Sequence, residues 1–185
     1  MRVALLSVFI CVAAAQDRPT TPCAFDGFSA PAKLAEVKRP AGGVMVVYHT
    51  GGDWTCGYLQ QRDGAGPAWL KSGDLREVPA DPAPTLDAWT GTWINGSGRI
   101  RIAAHDGKLH LAGKAEWHGA AGVVHTGDFE GDAAPAGNRL HFAGSGADSC
   151  TVDLTLIGKY LVVDDNDRCG GMNVRFWGVW KRGGK

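Results

Sequence analysis

The sequence has no apolar run long enough to cross a bilayer. The longest, residues 3–12, holds ten residues against the about 20 a spanning helix needs. It has no excess of charge of either sign, with 19 basic and 19 acidic side chains. That balance argues against nucleic-acid binding and against a polybasic membrane patch. Motifs of reactive chemistry are missing too: no phosphate loop, dinucleotide fingerprint, G-x-S-x-G, H-x-H, H-E-x-x-H or C-x-x-C. The six histidines are scattered, and His110 and His141 fall on the outward parity of their strands, so they read as exposed and unligated. The Asp164-Asp165-Asn166-Asp167 run fails as a calcium loop, because from Asp165 the fifth residue is Cys169 and the twelfth is Phe176. It reads as a solvated hairpin turn. Asp128, Glu130 and Asp132 alternate on one strand face and read as water-facing. No catalytic residue, cofactor or metal is expected.

What is present begins with an export pattern. Met1-Arg2 is a short charged start, residues 3–12 are apolar, and Ala13-Ala14-Ala15 supplies small residues for cleavage. This is the layout of a secretory signal. It predicts cleavage after Ala15 and a periplasmic or secreted product with no membrane insertion. Cleavage removes Cys11 and leaves Cys23, Cys56, Cys150 and Cys169. An even count in an exported chain predicts disulfides. Three pairings are possible; the wide gap in sequence favours Cys23–Cys56 and Cys150–Cys169, each contributing about 3–4 kcal/mol on the chain-entropy model.

Residues 16–22 read as a loose leader, residues 23–78 as one unit, and the PADPAPTL stretch at 79–86 as a semi-rigid linker. Residues 87–182 form a second unit, and it is β. Glycines recur too often there for a helix of ordinary length, and alternation is clear. Ile100 and Ile102 alternate with Arg99 and Arg101. His105-Asp106-Gly107-Lys108 predicts a tight hairpin. Leu109, Leu111, Gly113, Ala115 and Trp117 share the next face, and Leu140 and Phe142 repeat the pattern. So do Cys150, Val152, Leu154 and Leu156, while residues 160–163 and 173–180 complete the set. Seven or eight short strands imply a small closed barrel or a sandwich. The fold class is therefore all-β.

The first unit resembles bacterial SH3-like domains. The residues that carry this are Gly52-Asp53-Trp54-Thr55-Cys56, then Gly64 and Gly66, then Ala68-Trp69-Leu70-Lys71-Ser72 and Leu75, with Ala68 in place of the family's glycine. The resemblance implies a five-stranded barrel that binds peptides or cell-wall fragments, or packs on a neighbour. Trp54, Tyr58 and Trp69 would line a groove; alternatively, Trp54 and Trp69 fill the core. The second unit opens with Gly91-Thr92-Trp93, a G-x-W that resembles the calycins, where the tryptophan closes one barrel end. Gly91, Trp93, Asn95 and Gly98 also match the avidin pattern G-x-W-x-N-x-x-G, but Arg99 stands where avidins place a biotin-contacting serine, so biotin binding is not carried over. The segment from Cys150 to Arg182 is similar to the closing hairpin of exported bacterial proteins of unassigned function. That similarity implies a periplasmic location and the Cys150–Cys169 bridge.

These readings predict an SH3-like module joined to an antiparallel calycin-like barrel, acting without catalysis as an envelope binding protein. The expected ligand is a cell-wall component, a peptide or another envelope protein. The expected surface is Trp54, Tyr58, Trp69 and Trp177, with Arg62 and Lys71 to meet acidic groups. Trp177 is either exposed or covered by the first unit. One alternative is a small-molecule carrier using the barrel interior near Trp89 and Trp93, with Gly113 and Ala115 as hints of a cavity. Another is a lysozyme-inhibitor-like role, although the S-A-S-G segment of those inhibitors is absent.

Overall fold

The computed structural model describes residues 17–28, 33–39, 42–146 and 149–184; the expected signal segment lies outside them. The β-branched and aromatic residues alternate between glycine-rich turns, and strands follow. The first sheet contains β1 (Lys33–Val37), β2 (Val44–Gly51), β3 (Trp54–Gln61), β4 (Gly64–Lys71) and β5 (Leu75–Glu77), in the order β4-β3-β2-β1-β5. A 3-10 turn at Ser72–Asp74 joins the last two. The register of β2 on β3 slips between Val47 and His49, which places a bulge at Tyr48.

After a coil comes a four-residue helical turn, α1 (Leu86–Trp89), which takes the end of the expected linker into the second unit. Eight antiparallel strands follow: β6 (Gly91–Asn95), β7 (Gly98–His105), β8 (Lys108–His118), β9 (Val124–Ala133), β10 (Arg139–Ala143), β11 (Thr151–Ile157), β12 (Tyr160–Asp165) and β13 (Gly178–Arg182). Their order is β10-β11-β12-β13-β6-β7-β8-β9, so the last strand returns to the first. No ladder joins β9 to β10 among the described residues; the Phe129 and Phe142 rings, 5.2 Å apart, fill that seam. The sheet is a nearly closed barrel. The hairpin at Asp106-Gly107 has positive φ at both positions, 47° and 75°, as the D-G pair predicts.

Both expected disulfides are present, with Cα separations of 5.5 Å for Cys23–Cys56 and 4.6 Å for Cys150–Cys169. In an exposed thiol-reducing compartment such bridges do not persist, so they place the chain in an oxidising, extracytoplasmic environment. No described helix is long and apolar enough to cross a membrane.

Three local expectations fail. The strand expected over 173–180 begins only at Gly178. Upstream, Asn173 sits at φ 67°, and the Phe176 N–H donates to the Asp165 carboxylate at 3.1 Å instead of to a neighbouring strand. The acidic run is no solvated turn at its start. Asp164 and Asp165 are the half-buried end of β12, and only Asn166 and Asp167 face water. The leader is not wholly loose either, because the Trp69 indole N–H donates to the Thr21 carbonyl at 2.9 Å.

The barrel interior is filled. Trp89, Trp93, Trp180 and Phe176 are fully buried together with Ile100, Leu109, Leu111 and Leu154. Gly113, read as a hint of a cavity, has the Phe129 ring over it; a Cβ there would lie 2.1 Å from the ring edge. The end nearest α1 is latched. Trp93 donates its indole N–H to the Trp89 carbonyl at 3.0 Å, and the Arg182 guanidinium lies 4.4 Å over the Trp93 ring while bonding the Thr90 and Ala88 carbonyls.

Candidate functional site

The two sheets meet through a second core. Leu34, Val44 and Val46 of the first sheet pack, with Phe28, on Ile157, Tyr160, Val162 and Val179 of the second. Along β12 the odd residues Leu161 and Val163 point into the barrel, while Tyr160 and Val162 point out to this seam. Gln60 stitches the seam. Its amide donates to the Val179 carbonyl at 2.7 Å and to Asn95 at 3.2 Å, and its oxygen accepts the Val179 N–H at 3.0 Å. Asn95, the residue matching the avidin pattern, is thus engaged by the first sheet. Gly178 is required beside this contact, since its φ is 124° and a Cβ would lie 2.8 Å from the Asn95 amide.

At one end of the seam lies an ion cluster. Glu36 accepts from the Tyr160 hydroxyl at 2.7 Å, from Arg76 and from Lys159 at 3.0 Å. These partners, the tyrosine hydroxyl first, hold its pKa down at about 2. At the other end lies an aromatic cluster. The segment from Cys23 to Phe28 is fastened by its disulfide and laid across β2 and β3, turning at Gly27 (φ 81°). Phe28 is buried beneath it, while Phe25 remains 41% exposed. The Phe25 ring lies 4.8 Å from Trp177, 5.3 Å from Tyr58 and 5.4 Å from Phe28, and Tyr58 is 5.7 Å from Trp177. Tyr48, from the bulge, joins at 6.3 Å from Phe25. Burial pushes the Tyr48 and Tyr58 hydroxyls above their ordinary pKa. Both tyrosines are therefore neutral at physiological pH, and the Tyr48 hydroxyl is itself buried.

Of the four expected surface residues, the fold brings together Tyr58 and Trp177. Trp69 is buried in the first sheet, edge-on to His49 at 5.2 Å, so its core alternative holds. Trp54 is half-buried at the far end of β3 with Lys71 5.8 Å over its ring. Phe25 was missed by sequence reading, because one phenylalanine two residues after a cysteine carries no periodic signal.

Five of the six histidines, all but His49, meet a polar neighbour among the described residues. His110 meets Asp132 at 2.7 Å and Glu130 at 3.3 Å, which raise its pKa, and His141 meets Asp153 at 2.7 Å. Among the described residues no group of three or more potential ligands is placed to hold a metal. No protein-family model, curated protein or solved structure matches this chain.

Proposed function

We propose that this chain is a non-enzymatic binding protein of the periplasm or cell exterior, and that it recognises a cell-wall component, a peptide or another envelope protein at the aromatic junction between its two sheets. The observation that carries this is Phe25, exposed on top of Tyr58 of β3 and Trp177 from the segment just before β13. Neutral ring faces stack on sugar rings or pack against a partner's apolar side chains. The filled interior, occupied by Trp93, Phe176 and Trp180, supports recognition on the outside over carriage of a small molecule within. The two disulfides support an extracytoplasmic site of action.

The fold readings fit the same proposal. The order β4-β3-β2-β1-β5 with a 3-10 turn before the last strand supports an SH3-like module. The Gly91-Thr92-Trp93 strand that plugs a returning eight-stranded sheet supports a calycin-like barrel.

The test is co-sedimentation with purified sacculi, compared with the Phe25→Ser variant. Phe25 is exposed enough for this change to spare the fold. Loss of its ring contacts is expected to weaken binding about tenfold, the factor that about 1.4 kcal/mol supplies. Equal sedimentation of both proteins would remove the junction as the contact surface, and no sedimentation of either would remove the cell-wall ligand.

A further inference from the structure

The chain is neutral overall, yet its charges are sorted over the surface. One cross-strand row on the outside of the barrel reads Tyr160, Lys181, Ile94, Arg99, Lys114, each residue opposite the next, and ends on the acid Asp128 opposite Lys114. Arg101 lies one step along β7, opposite Ala112. Arg99, Arg101 and Lys114 surround a notch of about 240 Å³ floored by Ala112. A second hollow of about 430 Å³ opens at the seam, where Lys38, Arg76, Lys159 and Lys181 surround the single acid Glu36. Ile94, 38% exposed, separates the two hollows.

Arg99 and Lys114 are directly opposite each other, an arrangement that costs stability in a sheet. Among the described residues neither they nor Arg101 and Lys181 form an ion pair; of the neighbouring acids, Glu130 and Asp132 are engaged by His110, and Asp128, opposite Lys114, is the one acid facing these cations without pairing with them. An excess of unpaired cations around a hollow concentrates a positive field and attracts anions.

We infer that this stripe binds a linear anionic glycan, whose acidic groups occupy the two hollows in turn. Lys181 and Arg99 stand two strands apart, about 10 Å, an interval suited to acidic groups on alternate sugars of an extended chain. The chemistry disfavours other polyanions. Single-stranded nucleic acid is held by base stacking on exposed aromatics, and the only ring in this row, Tyr160, is 5% exposed. A flat bilayer meets protruding basic and apolar side chains, whereas most of these cations rim hollows on a convex sheet. The extracytoplasmic setting given by the disulfides is also where glycans are the exposed polymers.

The test uses the oxidised full chain and heparin as the sulfated-glycan probe, with affinity measured at about 50 and about 200 mM salt. Binding is expected at the lower salt and at least about tenfold weaker at the higher, as counterion release requires. The triple variant Arg99→Gln, Arg101→Gln, Lys114→Gln is expected to bind at least about tenfold more weakly at low salt. Asp128→Asn, a charge change on the adjacent strand, is expected to bind no more weakly than the parent. Phe25→Ser is expected to bind heparin like the parent, which separates this surface from the aromatic junction. Absence of heparin binding at low salt, or equal binding by the triple variant, overturns the inference. So does tighter binding to phosphatidylglycerol vesicles or to single-stranded DNA at matched salt.

Discussion

The two sheets solve the problem of a core differently. The eight-stranded sheet encloses its own: every buried residue of its main cluster, from Trp89 to Trp180, comes from its own segment. The five-stranded sheet does so only in part: Ala35, Met45, Cys56 and Trp69 are buried on its own side, while its other face relies on the barrel. Its Leu34, Val44 and Val46 share a cluster with Ile157, Tyr160, Val162 and Val179 of the barrel, and with Phe28. A sheet of this size has too little interior to offset the entropy of folding by itself. On this packing the barrel is expected to stand without the smaller sheet, and the smaller sheet to depend on the barrel. The proposed recognition surface lies at this seam.

The sharpest way to break this comparison is to separate the halves. A fragment of residues 87–184 is expected to melt cooperatively with retained β-sheet circular dichroism. A fragment of residues 17–78 is expected to show no cooperative transition even with Cys23–Cys56 oxidised, having lost the about 5 kcal/mol or more that a small domain holds in total. A sharp melt of the smaller fragment, measured by circular dichroism, would show it to be self-sufficient.

The sequence made the barrel far more legible than the seam. Strands buried on one face alternate, and Leu109, Leu111 and Phe142 could be placed inward on parity alone. β12 is buried on both faces, so Tyr160-Leu161-Val162-Val163 is a continuous apolar run. That run was the available signal that something covers the outside of the barrel, and it reads simply as one more strand. Composition hid the charged stripe for a related reason. A total charge of zero says nothing about a register that aligns Lys181, Arg99 and Lys114. Trp177 was legible as outward-facing, but its partners Phe25 and Tyr58 lie more than 100 residues away in sequence, and no local pattern predicts such a contact.

A milder cut at the seam is Glu36→Gln, which leaves both cores intact and removes the carboxylate that Arg76, Lys159 and Tyr160 share. Charge-assisted hydrogen bonds at a half-buried site, discounted for the exposed cations, give an expected loss of about 2 kcal/mol at neutral pH. The pH dependence gives a second readout. The folded chain depresses this carboxyl from 4.5 to about 2, so its contribution is present above pH 4.5 and is lost as pH falls toward about 2. Denaturant midpoints across that window should therefore fall more steeply for the parent than for Glu36→Gln.

The barrel holds a carboxyl of the opposite kind, and it sets the finest test. Asp165 is pushed up from 3.8 to about 6, chiefly by burial, although one oxygen accepts the Phe176 N–H; the other is buried without a partner. A raised carboxyl favours the folded state when protonated, so its benefit is full below pH 3.8 and is lost as pH rises through about 6. Asp165→Asn keeps the acceptor for Phe176 and never ionises. Its own amide group is buried in exchange, which offsets part of the gain, and the net expectation is about 1 kcal/mol of added stability at pH values above 6. The same variant should gain nothing at pH values below 3.8, where the parent carboxyl is already neutral. Glu36 and Asp165 thus bend the stability curve in opposite senses. A double variant whose denaturation midpoint is flat across the acid range would locate the main acid-range titrations of this fold at one carboxyl in the seam and one in the barrel.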